Sequence, residues 1–462
     1  MIFREKSRKT IRERKLEWHF HEILISQKEL EDGCELKGYG VIKTHTNGSL
    51  YLDFICLESN KKSSFMGSIP EDSMDDKQVV SLNAIGIDGL KIESHGLRVE
   101  TSLQDALKLG PVFYRINLSE INIIEENDPD DTDKSFFHME FNEKVDIPKN
   151  KINKTESTLE GFSSSWNQSI LKYLDVDINI IHHDQYTEIY ANGSGVDFDL
   201  LRNAVTFYVG FSSGAFIQPY IEYRSGPEVT KTTIYSIDSK KIKKRIPAPI
   251  CDFVLDQDKQ EMDHLHFELF GHICNILDNN PSYFESIYSQ WKRIWNSFLS
   301  PEISVTMLTT SVAIEGVLND IFIPVVANLL KDEELEEEKK RILLIIESVD
   351  DLSKDHSESI KNFVSKWGNI HPKKLLDYLV SIEVIEKRHV KNWTDLRNSS
   401  AHPKLMVDNE GRRRKDIGRL IVCLGLFYRL ALNVFSYKGA QYAYEKPKDS
   451  KLITYKPVNV LY

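Results

Sequence analysis

The spacing of apolar residues changes near residue 253, and this change limits the possible folds more than any other feature of the sequence. Before it, apolar and polar residues alternate in short runs, as in strands whose successive side chains face opposite sides of a sheet. After it, apolar residues recur every three to four positions, as in amphipathic helices. The sequence therefore predicts an α+β protein of several domains, with a β-rich antiparallel N-terminal half followed by an all-helical C-terminal bundle.

Composition divides the chain into four predicted parts: a β-rich domain over 1–150, a second β-rich region over 158–250, a helical domain over 253–440 and a tail over 441–462. The main boundary follows the basic run 240–245, because Pro247 and Pro249 interrupt strand pairing and the charge changes abruptly there. Such a run is typical of a solvated linker; the alternative is that it follows an RNA backbone.

A β-hairpin is the most specific local prediction in the N-terminal half. Asn47-Gly48 separates alternating runs at 40–44 and 50–55, and both turn residues tolerate positive φ. The Gly/Ser segment 211–215 predicts a plain turn; the alternative, a phosphate-binding loop, lacks the lysine of a P-loop frame. Further strands are predicted at 79–85, 97–101, 112–124, 136–145, 177–182, 187–190, 205–210, 217–223 and 232–237.

The C-terminal part predicts helices at 262–279, 281–298, 303–328, 333–349, 357–366, 372–386, 390–401 and 416–437. In the last of these, Ile417, Leu420, Ile421 and Leu424 form one apolar stripe, which requires a packed partner. A helical bundle follows.

Composition and charge narrow the class of protein. The 41% hydrophobic and 28% charged residues are those of an ordinary soluble protein, and the charged N-terminal segment does not have the form of a signal peptide. The apolar run 420–437 contains Arg429 and fits a buried helix better than a membrane span. We therefore predict a cytoplasmic protein without a membrane contact. A net charge of -11 implies that any RNA binds at a local basic patch.

The sequence predicts neither a metal nor a cofactor. Its five cysteines are scattered and none lies in a CxxC pair, which favours structural thiols in a reducing compartment over zinc. The acidic segment 127–133 predicts a solvated loop. The alternative is a calcium site, but the glycine and distal glutamate of an EF-hand are missing.

One short motif carries the chemistry that we predict. Arg397 stands five residues before His402, and Asn398 follows the arginine directly. A guanidinium can form two hydrogen bonds to one phosphate, and an imidazole titrates near neutral pH. Arg14 and His19 repeat the spacing in a charged N-terminal segment that predicts solvated surface, so only Asn398 and the flanking helices make the second copy specific.

At these residues, roughly the last 190 positions of the chain resemble the HEPN superfamily, whose all-helical domains include many ribonucleases with an Arg-polar-x3-His motif. The resemblance implies a metal-independent endoribonuclease with Arg397, Asn398 and His402 as catalytic residues, in a cleft completed by a second subunit of a homodimer. β-rich parts ahead of such a domain are similar to the ApeA-type antiphage defence proteins. That likeness implies abortive infection, cleavage of RNA such as tRNA, and an N-terminal half that responds to a phage-derived trigger.

Two alternatives remain open at this stage. In the first, the helical domain is a non-catalytic HEPN-type module that binds RNA, a nucleotide or a protein partner. In the second, the motif is a surface arginine and a capping histidine near a helix C-terminus, where cations are favoured.

Neighbouring residues extend the predicted site. Glu315 interrupts an apolar helix, and an unpaired buried carboxylate is costly, so we predict a pair with Arg397; the alternative is simple exposure. Pro403 drives His402 out of the helical region, so that both side chains can reach one end of the helix. A basic run follows the motif: Arg412, Arg413, Arg414 and Lys415. It either binds RNA beside the cleft or is solvated charge that flanks a helix.

Overall fold

The computed structural model divides the chain into two compact units, residues 1–245 and 246–462. The first contains a large antiparallel sheet and the second is mostly helical, so the predicted α+β class is confirmed. The structure describes residues 5–60, 67–101, 110–127, 135–141, 145, 147–158, 161–193, 197–226, 228–237, 244–250, 259–329, 333–349, 352–401, 410–444 and 452–454.

The N-terminal unit is built on an antiparallel sheet that, within the described residues, has fourteen strands in the order β11-β12-β13-β14-β10-β15-β16-β9-β6-β5-β1-β2-β3-β8. Strands β4 and β7 pair separately. The strands are β1 (Glu17–Ser26), β2 (Glu35–Thr44), β3 (Leu50–Ser59), β4 (Gly67–Ile69), β5 (Val80–Gly86), β6 (Lys91–Leu97), β7 (Val99–Thr101), β8 (Val112–Leu118), β9 (Glu120–Glu126), β10 (Phe136–Phe141), β11 (Lys151–Thr158), β12 (Gly161–Tyr173), β13 (Val176–His182), β14 (Thr187–Asn192), β15 (Ile221–Ser225) and β16 (Val229–Tyr235). In the described part of this unit they are accompanied by the α-helices α1 (Glu5–Arg12) and α2 (Phe198–Ser213) and by a short 3-10 helix, Asp76–Gln78.

The sheet continues across the predicted division at residue 150. Strand β10 comes from the first predicted region, yet it pairs on one side with β14 and on the other with β15, both from the second. Residues 1–245 are accordingly one compact unit. The predicted division therefore does not coincide with a boundary between compact units.

The predicted hairpin at Asn47-Gly48 is confirmed. Strands β2 and β3 pair antiparallel up to Thr44 opposite Leu50. Gly48 adopts a φ of 94°, which glycine tolerates at no steric cost, and the side chain of Asn47 accepts a hydrogen bond from the backbone N–H of Ser49. The connection is therefore a five-residue loop, longer than the two-residue turn that an Asn-Gly pair often forms.

The predicted strand at 205–210 is wrong, because these residues lie inside α2. The helix begins after Asp197, whose side chain accepts hydrogen bonds from the backbone N–H groups of Asp199 and Leu200, and it ends at Gly214 with a φ of 63°. A short apolar run does not distinguish a buried strand from a buried helix by periodicity. The predicted turn at 211–215 is thus the last turn of this helix and its glycine cap.

The C-terminal unit consists mainly of helices: α3 (Lys259–Asn279), α4 (Pro281–Ser297), α5 (Ile303–Val317), α6 (Ile323–Leu329), α7 (Glu333–Glu347), α8 (Lys354–Ser365), α9 (Pro372–Ser381), α10 (Lys387–Ala401) and α11 (Glu410–Val434). A π-helical segment, Leu318–Phe322, joins α5 to α6. Strands β17 (Ala440–Tyr442) and β18 (Leu452–Thr454) pair with one another, and β17 begins at the last residue of the predicted helical domain and continues into the predicted tail. Most helix bounds lie within a few residues of the prediction, but α11 begins six residues earlier and so includes the basic run 412–415.

Among the residues that the structure describes, two stretches of helix are long and apolar enough to cross a membrane, Ile303–Ala327 and Glu410–Val434. The protein itself buries 50% and 67% of their apolar windows, which is typical of core helices in a soluble protein. Arg429 in α11 is only 5% exposed and pairs with Glu386 at 3.3 Å. The prediction that this apolar run is a buried helix is confirmed.

Candidate functional site

Helix α10 carries the predicted motif and is anchored by its inward face. Leu396 is fully buried, and Trp393, three residues earlier, donates a hydrogen bond from its indole Nε1 to the backbone oxygen of Ser311 on α5 at 3.2 Å. These contacts fix the rotation of the helix about its axis. Arg397, one helical turn after Trp393, consequently lies at the exposed edge of this face, and Asn398 is exposed on the opposite side.

The guanidinium of Arg397 forms a bidentate ion pair with the carboxylate of Glu315. Nε of Arg397 lies 2.9 Å from Oε2 of Glu315, and Nη2 lies 3.0 Å from Oε1. The same guanidinium lies 5.8 Å from the centre of the Trp393 ring. The predicted pairing is therefore present. Because the two side chains remain 49% and 26% exposed, the pair contributes at most about 1 kcal/mol to stability, and its main consequence is a fixed orientation of the guanidinium.

The other two predicted catalytic residues lie at the end of α10 or beyond it. Asn398 is exposed and has no hydrogen-bond partner among the residues that the structure describes. Ala401 is the last residue of the helix. His402 and Pro403 lie outside the described residues.

The basic run lies at the same end of the helix pair as the motif. Helices α10 and α11 are antiparallel, since Glu386 contacts Arg429 and Asp395 contacts Arg419 at 3.0 Å. From Asp395, six further residues reach the end of α10, about 9 Å along its axis. From Arg419, seven residues lead back to 412, about 10 Å along α11. Residues 412–415 therefore lie level with the end of α10.

Charges in the basic run are only partly compensated. Arg412 lies 3.8 Å from Asp416, and Arg414 pairs with Glu410 on the same helix. Arg413 and Lys415 are exposed and have no ion-pair partner within the described part of the chain. The end of the helix pair that carries Arg397 thus also presents two cationic groups, Arg413 and Lys415, without an ion-pair partner among the described residues.

A buried histidine at the start of α10 makes the helical unit sensitive to acid. Nδ1 of His389 accepts a hydrogen bond from the backbone N–H of Glu386 at 3.0 Å. Burial, together with the charge of Arg429, lowers the pKa of His389 from 6.5 to about 3. The unfolded chain therefore binds a proton between these pH values that the folded chain does not bind.

We expect the free energy of unfolding of the helical unit to fall as the pH drops below about 6.5, by about 2 kcal/mol at pH 5 from His389 alone. Urea unfolding followed by tryptophan fluorescence at pH 7 and pH 5 measures this loss. The His389→Gln variant cannot bind the proton and should lose about 2 kcal/mol less than the wild type. An equal loss in both proteins contradicts the assignment.

Sequence reasoning missed a second polar cluster, which lies in the N-terminal unit. Glu140 on β10 is fully buried and accepts hydrogen bonds from Arg8 at 2.9 Å, from Arg12 at 2.8 Å and from the Tyr220 hydroxyl. His138 contacts Glu188 at 2.8 Å. The available signal was the four-residue spacing of Arg8 and Arg12, which places both on one face of a helix.

This cluster includes three potential metal ligands. The nearest donor atoms of His138, Glu140 and Glu188 all lie within 4.8 Å of one another. However, Nη1 of Arg8 lies 2.9 to 3.4 Å from donor atoms of all three. The guanidinium thus supplies the positive charge that a metal ion would otherwise supply to these three groups.

Glu188 is the charged partner in this cluster. Burial raises the pKa of Glu188, but hydrogen bonds from His138 and His183 outweigh burial and hold that pKa well below its ordinary value. The carboxylate is therefore ionised at neutral pH. It lies 3.4 Å from Arg8, so the two charges balance one another.

Comparison with known proteins gives no further assignment. A scan against protein-family models finds no match, and a search of curated proteins finds no significant match. The function is therefore inferred from the geometry around Arg397 and from the resemblance of the motif.

Proposed function

We propose that this chain is a cytoplasmic, metal-independent endoribonuclease of the HEPN type, active in antiphage defence. The observation that supports the proposal best is the orientation of Arg397. Its guanidinium is held by Glu315 near the end of α10, five residues before His402, and the free cations of the basic run lie at the same end. An oriented guanidinium beside free cations suits a phosphodiester.

The proposed reaction uses the nucleophile that RNA itself carries. His402 takes the proton of a ribose 2′-hydroxyl, the 2′-oxygen attacks phosphorus, and the bond from phosphorus to the 5′-oxygen breaks. Arg397 stabilises the negative charge that develops on the phosphate oxygens, and Asn398 orients the phosphate. A second imidazole returns a proton to the leaving 5′-oxygen. The products are a 2′,3′-cyclic phosphate and a 5′-hydroxyl, with no metal or cofactor.

The second imidazole is proposed to come from another copy of the chain in a C2 homodimer. A row of exposed apolar side chains on α5 supports this: Val305, Leu308 and Val312 are 42%, 44% and 50% exposed. They lie on one side of the helix and lead directly to Glu315. Exposed apolar surface next to the site is what a subunit contact would cover.

The β-rich unit is proposed to regulate the nuclease. An unrestrained ribonuclease would destroy the RNA of its own cell, including tRNA, so activity must await infection. A phage-derived trigger is the proposed signal.

The test incubates the purified full chain with tRNA and total RNA in EDTA, alongside Arg397→Ala and His402→Ala. We expect cleavage that persists in EDTA and disappears in both variants. Cleavage that EDTA abolishes would indicate a metal nuclease and contradict the proposal.

A non-catalytic module is the second candidate, and one observation favours it. Glu315 already occupies the Nε and Nη2 edge of the Arg397 guanidinium, so a phosphate meets only the remaining donors, next to a carboxylate whose negative charge repels it. If the helical unit is a non-catalytic module, the wild type, Arg397→Ala and His402→Ala bind RNA equally and none of them cleaves it. The same experiment therefore separates the two candidates.

Glu315 offers a sharper test of how Arg397 acts. In Glu315→Gln the guanidinium loses its bidentate ion-pair partner, which fixes its position. A small misplacement of a catalytic group can slow a reaction considerably. We expect kcat for RNA cleavage to fall about 10- to 100-fold. KM should stay constant or fall, because a negative charge next to the bound phosphate is removed. A rise in KM with unchanged kcat would mean that Glu315 acts only on binding.

A further inference from the structure

The N-terminal unit contains a cavity of about 290 Å³ on the face of the sheet that α1 crosses. Its lining includes Phe136 and His138 from β10, Tyr190 from β14 and Tyr223 from β15. Strand register explains the grouping, since His138 pairs with Tyr190 on one side and with Tyr223 on the other. Paired residues in neighbouring strands point to the same face of a sheet.

Tyr190 and Tyr223 flank His138 at a distance that suits a bound aromatic ring. Neighbouring strands lie about 4.8 Å apart, so the backbones of β14 and β15 are separated by about 10 Å across β10. A planar ring in van der Waals contact with an aromatic side chain on either side needs about 7–8 Å. The spacing of the strands therefore leaves room for one flat ring between the side chains of Tyr190 and Tyr223, beside Phe136, whose ring packs edge-on against Tyr223 at 5.8 Å.

Several polar groups of the cavity have no hydrogen-bond partner within the described part of the chain. Nε2 of His138 is held by Glu188 at 2.8 Å, while its Nδ1 has no hydrogen-bond partner among the described residues. Neither hydroxyl group, of Tyr190 or of Tyr223, has such a partner in the same part of the chain. An apolar pocket with a few converging polar groups is the usual form of a small-molecule site.

Charge and size restrict the ligand. The two ionised groups of the lining, Arg8 and Glu188, lie 3.4 Å apart and compensate each other, which favours an uncharged ring over an acid or a cation. The volume is at the lower end for ligand pockets, about 300 Å³ upwards, so the buried part of the ligand has one or two rings. It must also offer a hydrogen-bonding edge to His138.

We propose that this cavity binds an unpaired nucleobase, stacked between Tyr190 and Tyr223 with its edge hydrogen-bonded to Nδ1 of His138. Bases stack on aromatic side chains of sheets in this way, and stacking tolerates every base. The base belongs either to a free nucleoside or nucleotide, or to a single strand of RNA. The site does not depend on whether the helical unit cleaves RNA.

Calorimetric titration of the full chain tests the proposal with four nucleosides and with a 2′-O-methyl RNA hexamer, which lacks the hydroxyl needed for cleavage. Tyr190→Ala, at a half-buried position, removes a stacking ring and should weaken binding roughly 5- to 150-fold, and Phe136→Ala, which removes the ring packed edge-on against Tyr223, should also weaken it. Tyr190→Phe keeps the stacking ring and should bind nearly as the wild type does. Tyr39→Ala makes the same deletion at a 44% exposed position on β2 and should have no effect.

The two sources of the base give different results. Nucleoside binding that is lost in Tyr190→Ala identifies a free ligand, and binding of the hexamer alone with the same loss identifies an RNA strand. The proposal is overturned if neither probe binds, or if Tyr190→Ala and Phe136→Ala bind as tightly as the wild type.

Discussion

Replacing Arg397 or His402 with alanine is expected to lower the rate of RNA cleavage by about 10²- to 10⁴-fold. A positioned general acid or base contributes this much, and removal of one group that stabilises transition-state charge costs about 10²- to 10³-fold. Single-turnover cleavage of a labelled tRNA measures the chemical step directly. RNA affinity should change far less than the rate, because the free cations of the basic run remain.

The chain offers its own control for this prediction. Arg14 and His19 have the same five-residue spacing, but the guanidinium of Arg14 donates to the backbone oxygen of Thr46, and His19 is 57% exposed on β1. His19→Ala should therefore cleave RNA at the wild-type rate. If His19→Ala and His402→Ala are equally impaired, or if neither is, the assignment of the site to α10 fails.

The second large effect concerns stability. Glu140→Ala is expected to lower the free energy of opening of the surrounding strands by about 3–5 kcal/mol. The carboxylate is fully buried, and its removal leaves the guanidinium groups of Arg8 and Arg12 mostly buried, at 19% and 16% exposure, without this partner. A buried cation that loses its carboxylate costs far more than the pair itself contributes.

Hydrogen exchange of the amides of β10, β14 and β15 measures this free energy locally. Glu35→Ala is a matched control in the same sheet, since Glu35 is 44% exposed and pairs with Lys37 at 2.7 Å. An exposed pair contributes at most about 1 kcal/mol, so the control should change little. Equal protection in Glu140→Ala and the wild type would show that the network carries no stability.

The parts of the fold that could be predicted are those with a strong local signal. A helix with a clear apolar period, 281–298, agrees with α4, and the long apolar segment 303–328 agrees with α5 and α6. The strand at 205–210 was wrong because this part of α2 is buried on nearly every side, and a short apolar run of that kind fits a buried strand as well as a buried helix. Its helix signals lay at its ends, in Asp197 and Gly214, where side-chain capping rather than periodicity defines the helix.

The two candidate sites also differ in how far their contacts could be predicted from the sequence. A single carboxylate on an apolar helix needs a cation, and this requirement was enough to predict the pair of Glu315 with Arg397. No comparable rule joins α1 to β10, since the contacts of Arg8 and Arg12 with Glu140 span 132 and 128 residues. Long-range ion pairs depend on how strands are ordered in the sheet, which the sequence pattern does not determine.

One substrate tests the central claim most directly: an RNA cut by the protein, resynthesised with a single 2′-deoxyribose immediately 5′ of the cleaved bond. The account predicts that cleavage at that bond stops while neighbouring sites are still cut. The products of the unmodified RNA should end in a 2′,3′-cyclic phosphate and a 5′-hydroxyl, in EDTA as in its absence. Cleavage at the deoxy position, with 3′-hydroxyl and 5′-phosphate ends, would contradict it.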